Sequence, residues 1–141
     1  MRILGIDYGD SRIGVALSDP FGWTAQGIDT IHIKGNWDSA LTKIGELVEK
    51  HTVDEIVVGF PKNMNGTIGP RGEKTIEFIE ALSKIVSVKI EKWDERLTTV
   101  AANRAMHEMG VKTSKKKGIV DQIAAIYILQ SFLDSKGRTN N

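Results

Sequence analysis

The spacing of apolar residues changes period part-way along this chain, and that change restricts the fold more than any single motif. Residues 2–8 (RILGIDY), 12–18 (RIGVALS) and 27–33 read as short apolar strands, the first two joined by the tight turn Gly9-Asp10-Ser11. The spacing then becomes helical: Leu41, Ile44, Leu47 and Val48 recur over 37–50, with Asp38 available to start the helix. Residues 55–60 (EIVVGF) form a strand of the kind covered on both faces. A loop over 61–72, marked by Asn65-Gly66 and Gly69-Pro70, leads to a helix with Ile76, Ile79 and Leu82 on one stripe. The fifth strand covers 86–94. Thr98 or Thr99 can cap a helix that ends near Met109 and Gly110, and a last helix runs over about 119–133. Three closely linked strands predict an antiparallel meander. The alternation that follows predicts a mixed sheet with helices on both faces, its last two strands parallel to the first. The expected class is α/β, a five-stranded mixed sheet in the order βββαβαβα with an additional helix.

A chain of 141 residues is most simply one domain over 1–141, with a flexible polar tail at about 135–141. It has no cysteine, which excludes disulfides, thiolate zinc sites and cysteine nucleophiles and fits a reducing cytoplasm. Asp7 interrupts the first apolar run too early for a signal peptide or a membrane span, so a soluble cytoplasmic protein is expected, with no membrane partner. The net charge of +1 hides an asymmetry. Residues 1–60 hold 5 Lys and Arg against 9 Asp and Glu, and residues 61–141 hold 14 against 9. The densest positive run is Lys112-Thr113-Ser114-Lys115-Lys116-Lys117, a few residues before Asp121. It reads either as a solvated loop or as a phosphate contact.

Three acidic positions stand beside apolar sequence, where an unpaired carboxylate is costly. Asp7 shares a strand face with Ile3 and Gly5, and that glycine leaves room for a metal or a phosphate. Asp94 and Glu95 end the fifth strand. Strict alternation places Asp94 inward with Val88 and Ile90, and Glu95 with Lys89 and Glu91, but strand ends lose register and the choice stays open. Asp121 shares its helix face with Ala125, Ile128 and Phe132 and so should point to the sheet. Each also has a bland reading: a turn residue, a surface pair with Arg96, or a favourable charge at a helix start. Together they say more. Two like charges about 5 Å apart at an effective dielectric near 20 repel by roughly 3 kcal/mol, which protonation or a divalent cation relieves. An all-carboxylate set favours Mg²⁺ or Mn²⁺ over zinc, and two such ions can activate water against a phosphodiester. His32, His51 and His107 fall in no ligand spacing, and Trp23, Trp37 and Trp93 are expected to be packing residues.

The motifs GIDYGDSRIGVALSD at 5–19, VVGFPKNMNGTIGPR at 57–71, DERLTT at 94–99 and KKKGIVDQIAAIYILQSFL at 115–133 span nearly the whole chain. With them the chain resembles the YqgF family, also called RuvX, of the RNase H-like superfamily. The resemblance implies a five-stranded RNase H-like fold and carries the catalytic and metal-holding acids onto Asp7, Glu95 and Asp121. It favours Glu95 over Asp94. It also implies substrate or loop-positioning roles for Arg12, Asn63, Asn65, Thr67, Arg96 and Thr98. One departure is visible: Ser11 stands where the family often has Lys before the arginine. The expected function is a Mg²⁺- or Mn²⁺-dependent nuclease, with Lys115, Lys116 and Lys117 on phosphates. The implied substrate is the 5′ end of pre-16S rRNA, met in ribosomal precursor particles. The alternatives are resolution of branched DNA, which would ordinarily need a dimer, and a non-catalytic nucleic-acid-binding domain. The oligomeric state is not legible. GIDYGDS also resembles the phosphate loop of actin-like ATPases and sugar kinases, but those need two lobes.

Overall fold

The computed structural model describes residues 1–98 and 114–139. The described elements run β1 (Arg2–Tyr8), β2 (Arg12–Ser18), β3 (Ala25–His32), α1 (Asp38–Lys50), β4 (Val53–Phe60), α2 (Pro70–Ser83), β5 (Lys89–Asp94), a 3₁₀ turn (Glu95–Leu97) and α3 (Ser114–Thr139). The helix expected between Thr98 and Met109 lies outside the described residues.

The strands form one five-stranded sheet in the order β3-β2-β1-β4-β5. β1, β2 and β3 are the expected antiparallel meander, and β4 and β5 are parallel to β1. The alternation within β1 holds. Leu4, Ile6 and Tyr8 join the core under α1 and α2, with Ile13, Val15, Ile44, Ile56, Val58 and Phe78. Ile3 joins the opposite core with Val57, Ala125, Ile128, Leu129 and Phe132, under α3. The last helix thus covers one face, and the first two helices cover the other.

Some boundaries differ from the sequence reading for local reasons. Gly69-Pro70 is a helix start, since proline at the first helical position gives up no internal hydrogen bond. The buried stripe of α2 is Gly72, Thr75, Phe78 and Leu82 rather than one centred on Ile76. Lys115, Lys116 and Lys117 lie in the first turn of α3, which begins earlier and ends later than expected. Lysine is a good helix former, and only Gly118 in that stretch opposes the helix, by about 1 kcal/mol. Trp37 and Trp93 pack against Tyr8, Phe78 and Phe132 as expected, whereas Trp23 is exposed. No helix among the described residues is long and apolar enough to cross a membrane.

Candidate active site

Glycines set how closely α3 approaches the sheet. Gly5, Gly14, Gly27 and Gly59 stand on four adjacent strands beneath it. A Cβ at Gly5 would lie 2.7 Å from Leu129 Cβ, and one at Gly27 2.6 Å from Gln122 Oε1. A Cβ at Gly14 would collide with the carbonyl oxygen of Asp121, and one at Gly59 with Ile128 Cδ1. The space over Gly5 is therefore filled by α3, not open to a metal or phosphate as the sequence suggested. The glycines act instead by letting a helix carboxylate descend to the level of the strands.

Gly14 is the hub. On β1 its register partner is Asp7, on the same face as Ile3 and Gly5. Above it lies the backbone of Asp121. Asp121 points toward the sheet, as its helix face predicted: Ala125, Ile128 and Phe132 on that face are all buried. Two residues before Gly14, on the same strand face, Arg12 sends its guanidinium to this carboxylate, with Nε 2.7 Å from Asp121 Oδ2. That oxygen is closed to solvent and, despite the ion pair, makes no aligned hydrogen bond. Arg12 and Asp121 are far apart in the chain, and no sequence signal predicts their pairing.

At β5 the structure separates the two neighbouring acids. Asp94 follows Ile90 on the α1–α2 side. Its carboxylate is occupied by Arg96, accepting from the backbone N at 2.9 Å, from Nε at 3.1 Å and from Nη2 at 2.7 Å. Glu95 opens the 3₁₀ turn, and its Cγ lies 3.3 Å from where a Cβ on Gly59 would stand, on the α3 side. Alternation assigns the two faces correctly. It does not make Asp94 the inward acid, because both faces are covered, and the face shared with Asp7 is that of Glu95. All three acids thus lie on the α3 side. Asp7 and Glu95 stand at or just past the ends of the parallel strands β1 and β5. Among the described residues, however, no three His, Cys, Asp or Glu side chains are grouped closely enough to hold one metal ion.

The loop after β4 lies at this same end of the sheet and is bonded to itself. Asn63 N donates to Thr67 O at 2.9 Å, Asn63 Nδ2 to Thr67 Oγ1 at 2.9 Å, and Thr67 Oγ1 to Asn65 Oδ1 at 2.7 Å. Gly66 takes the positive φ of 87° that the turn requires. Arg96 ties this loop to β5, donating from Nη1 to Met64 O at 3.4 Å while it holds Asp94. Thr98 donates its hydroxyl to Glu95 O at 2.7 Å, fixing the turn that carries Glu95.

Asp94 is held below its ordinary carboxylate value of 3.8, chiefly by the side-chain hydrogen bonds from Arg96. Because its charged form is favoured in the fold, this bracing is complete above that value and is lost as pH falls through the lowered one. Amide exchange in residues 62–67, corrected for intrinsic rates, should stay flat from neutral pH to about 5 and accelerate only in stronger acid. Asp94→Asn should show the accelerated exchange already at neutral pH.

Comparison with known proteins places this architecture. The profile of the RuvX family, described as Holliday junction resolvase, matches residues 1–135. The chain belongs to the RuvX family. A relative from Acetivibrio thermocellus, named "Putative pre-16S rRNA nuclease", is 64% identical over 139 residues, covering 98% of this chain and 99% of its own. One of the same name from Ruminiclostridium cellulolyticum is 58% identical over 134 residues, covering 95% and 94%. Among solved structures, Thermus thermophilus RuvC in complex with a Holliday junction substrate aligns with a TM-score of 0.61 at 12% identity, over 97% of this chain and 96% of that one. The fowlpox virus Holliday junction resolvase aligns at 0.55 and 18% identity, over 96% and 99%. At these identities the likeness establishes the fold, which is RNase H-like. This RuvX chain thus matches its relatives along nearly their whole length in sequence, and resolvases in architecture.

Proposed function

We propose that this protein is a nuclease that hydrolyses a phosphodiester in pre-16S rRNA, with Asp7, Glu95 and Asp121 as its acidic site. The observation that carries the proposal is that Gly14 has Asp7 as its register partner and the backbone of Asp121 above it, with Glu95 on the same sheet face. It occurs in a chain whose near relatives are named for that activity.

The chemistry of the donor set suits a hard divalent cation, and the three side chains would have to draw closer than they stand here to hold one ion together. The set is made of carboxylate oxygens, with no sulfur, and one of them, Asp121 Oδ2, is buried without an aligned hydrogen bond. Asp7, Glu95 and Asp121 would hold Mg²⁺ or Mn²⁺. Bound there, such a cation supplies acidity to water and charge to offset that on the phosphate oxygens. In the reaction a water oxygen bonds to phosphorus, the bond from phosphorus to the departing sugar oxygen breaks, and a proton ends on that oxygen. The chain's own part is orientation. The glycine contacts set the depth of Asp121, Thr98 fixes the turn bearing Glu95, and the loop over 61–69 forms a braced wall where the backbone would lie. Lys115, Lys116 and Lys117 would neutralise phosphates without reading bases.

The decisive assay compares cleavage of a precursor rRNA, single-stranded DNA and a four-way DNA junction with Mg²⁺, with Mn²⁺ and with chelator. Metal-dependent cleavage of the RNA is expected, and preference for the junction would replace the substrate with branched DNA. Replacing Lys115, Lys116 and Lys117 together by Gln should weaken RNA binding. It should also flatten the dependence of log affinity on log salt by about 0.7 for each phosphate no longer neutralised. An unchanged slope would return the lysines to ordinary surface.

A further inference from the structure

Arg12 stands in the acidic site as a cation of the protein's own. Its Nε is 2.7 Å from Asp121 Oδ2, a carboxylate oxygen closed to solvent. The approach is close yet makes no aligned hydrogen bond, so it holds the carboxylate by charge rather than by directional bonding. The positions of the partners explain why. Arg12 and Gly14 are two apart on β2, so both face α3, and Asp7 is the register partner of Gly14. Arg12 is therefore the diagonal neighbour of Asp7, within reach of a long side chain, while its charge rests on Asp121. The arginine is partly exposed, with 37% of its side-chain surface open, and can swing into solvent, whereas the Asp121 oxygen it leaves is closed to water and needs a replacement cation.

We propose that Arg12 is a resident counter-ion that holds Asp121 until a divalent cation arrives and must give up that carboxylate for the cation to bind. It thereby sets the metal affinity of the site. This rests on the acidic site being a metal site, as proposed above. Arg12 and the cation compete for one oxygen, and each repels the other at short range. Arg12 acts through Asp121 and is a positioning residue. A purely structural salt bridge makes the opposite prediction: its loss would let Asp121 wander and weaken metal binding.

The test is calorimetric titration of the full chain with Mn²⁺ alone, without nucleic acid, for wild type, Arg12→Gln, Arg12→Lys and Asp7→Asn, each checked for folding by circular dichroism. Arg12→Gln should bind Mn²⁺ about tenfold more tightly than wild type at low salt, the margin narrowing as salt screens the competing charge. Arg12→Lys keeps the charge and should stay near wild type. Equal or weaker binding by folded Arg12→Gln overturns the proposal, and so does the absence of Mn²⁺ binding in both wild type and Arg12→Gln. Asp7→Asn separates the two ideas. If it loses Mn²⁺ while Arg12→Gln gains nothing, only the role of Arg12 fails. If it binds as wild type does, the metal site itself fails.

Discussion

Asp7→Asn is expected to lower metal-dependent RNA cleavage by about 10³-fold, a loss of about 4 kcal/mol of transition-state stabilisation, while leaving the protein folded. The side chain keeps its shape, so the packing of β1 is preserved. What disappears is the charge at the end of β1, on a sheet whose backbone hydrogen bonds do not depend on it. Initial rates with Mn²⁺ alongside a thermal melt provide the check. A variant that cuts as fast as wild type would end the nuclease assignment to this site. One that fails only because it is unfolded would show in the melt.

Gly14→Ala is expected to have the largest effect on the fold. The added methyl meets the carbonyl oxygen of Asp121, a backbone atom that cannot rotate away, so α3 must lift from the sheet. Overpacking costs typically 1–3 kcal/mol, and a backbone obstacle places this variant at the upper end, about 3 kcal/mol or roughly 10 °C in melting temperature. Cleavage should fall with it, because the displaced backbone carries the Asp121 carboxylate away from Asp7. Gly59→Ala is the informative comparison. Its methyl meets the end of the Ile128 side chain, which can adopt another rotamer, so the cost should be near 1 kcal/mol. Equal melting of Gly14→Ala and wild type would mean that the helix does not ride on that strand.

Both outcomes depend on a division between local and tertiary information. The strands, their faces and the meander were legible, because a period of two with one apolar face at a time leaves few arrangements. The face of Asp121 was legible too, since its position at helical spacing from Ala125, Ile128 and Phe132 leaves one direction for the side chain. The early start of α3 was not, because a lysine run fits a solvated loop and a helix turn equally well in isolation. Nor was the roster of packing tryptophans, since Trp23 differs from Trp37 and Trp93 only in lying in the turn between β2 and β3, where its side chain stays exposed.

The choice between Asp94 and Glu95 shows the limit most sharply. Alternation told which face each occupied, but not which face would carry Asp7 and α3. That depended on how the helices distributed themselves over the two sides of the sheet. Arg96 then engaged Asp94 through its backbone and guanidinium, a pairing two residues apart that the sequence allowed without requiring.

From sequence alone, this chain's periodicities determined a mixed α/β sheet and placed carboxylates where water is scarce. Only the tertiary structure decided that glycines on four strands would bring α3 down onto the sheet, that the backbone of Asp121 would lie over the register partner of Asp7, and that Arg12 would pair with Asp121. The reason is physical. Strand and helix patterns are set by interactions a few residues apart, whereas the depth of a helix on a sheet is set by the absence of side chains, and an absence shows its meaning only when something fills it.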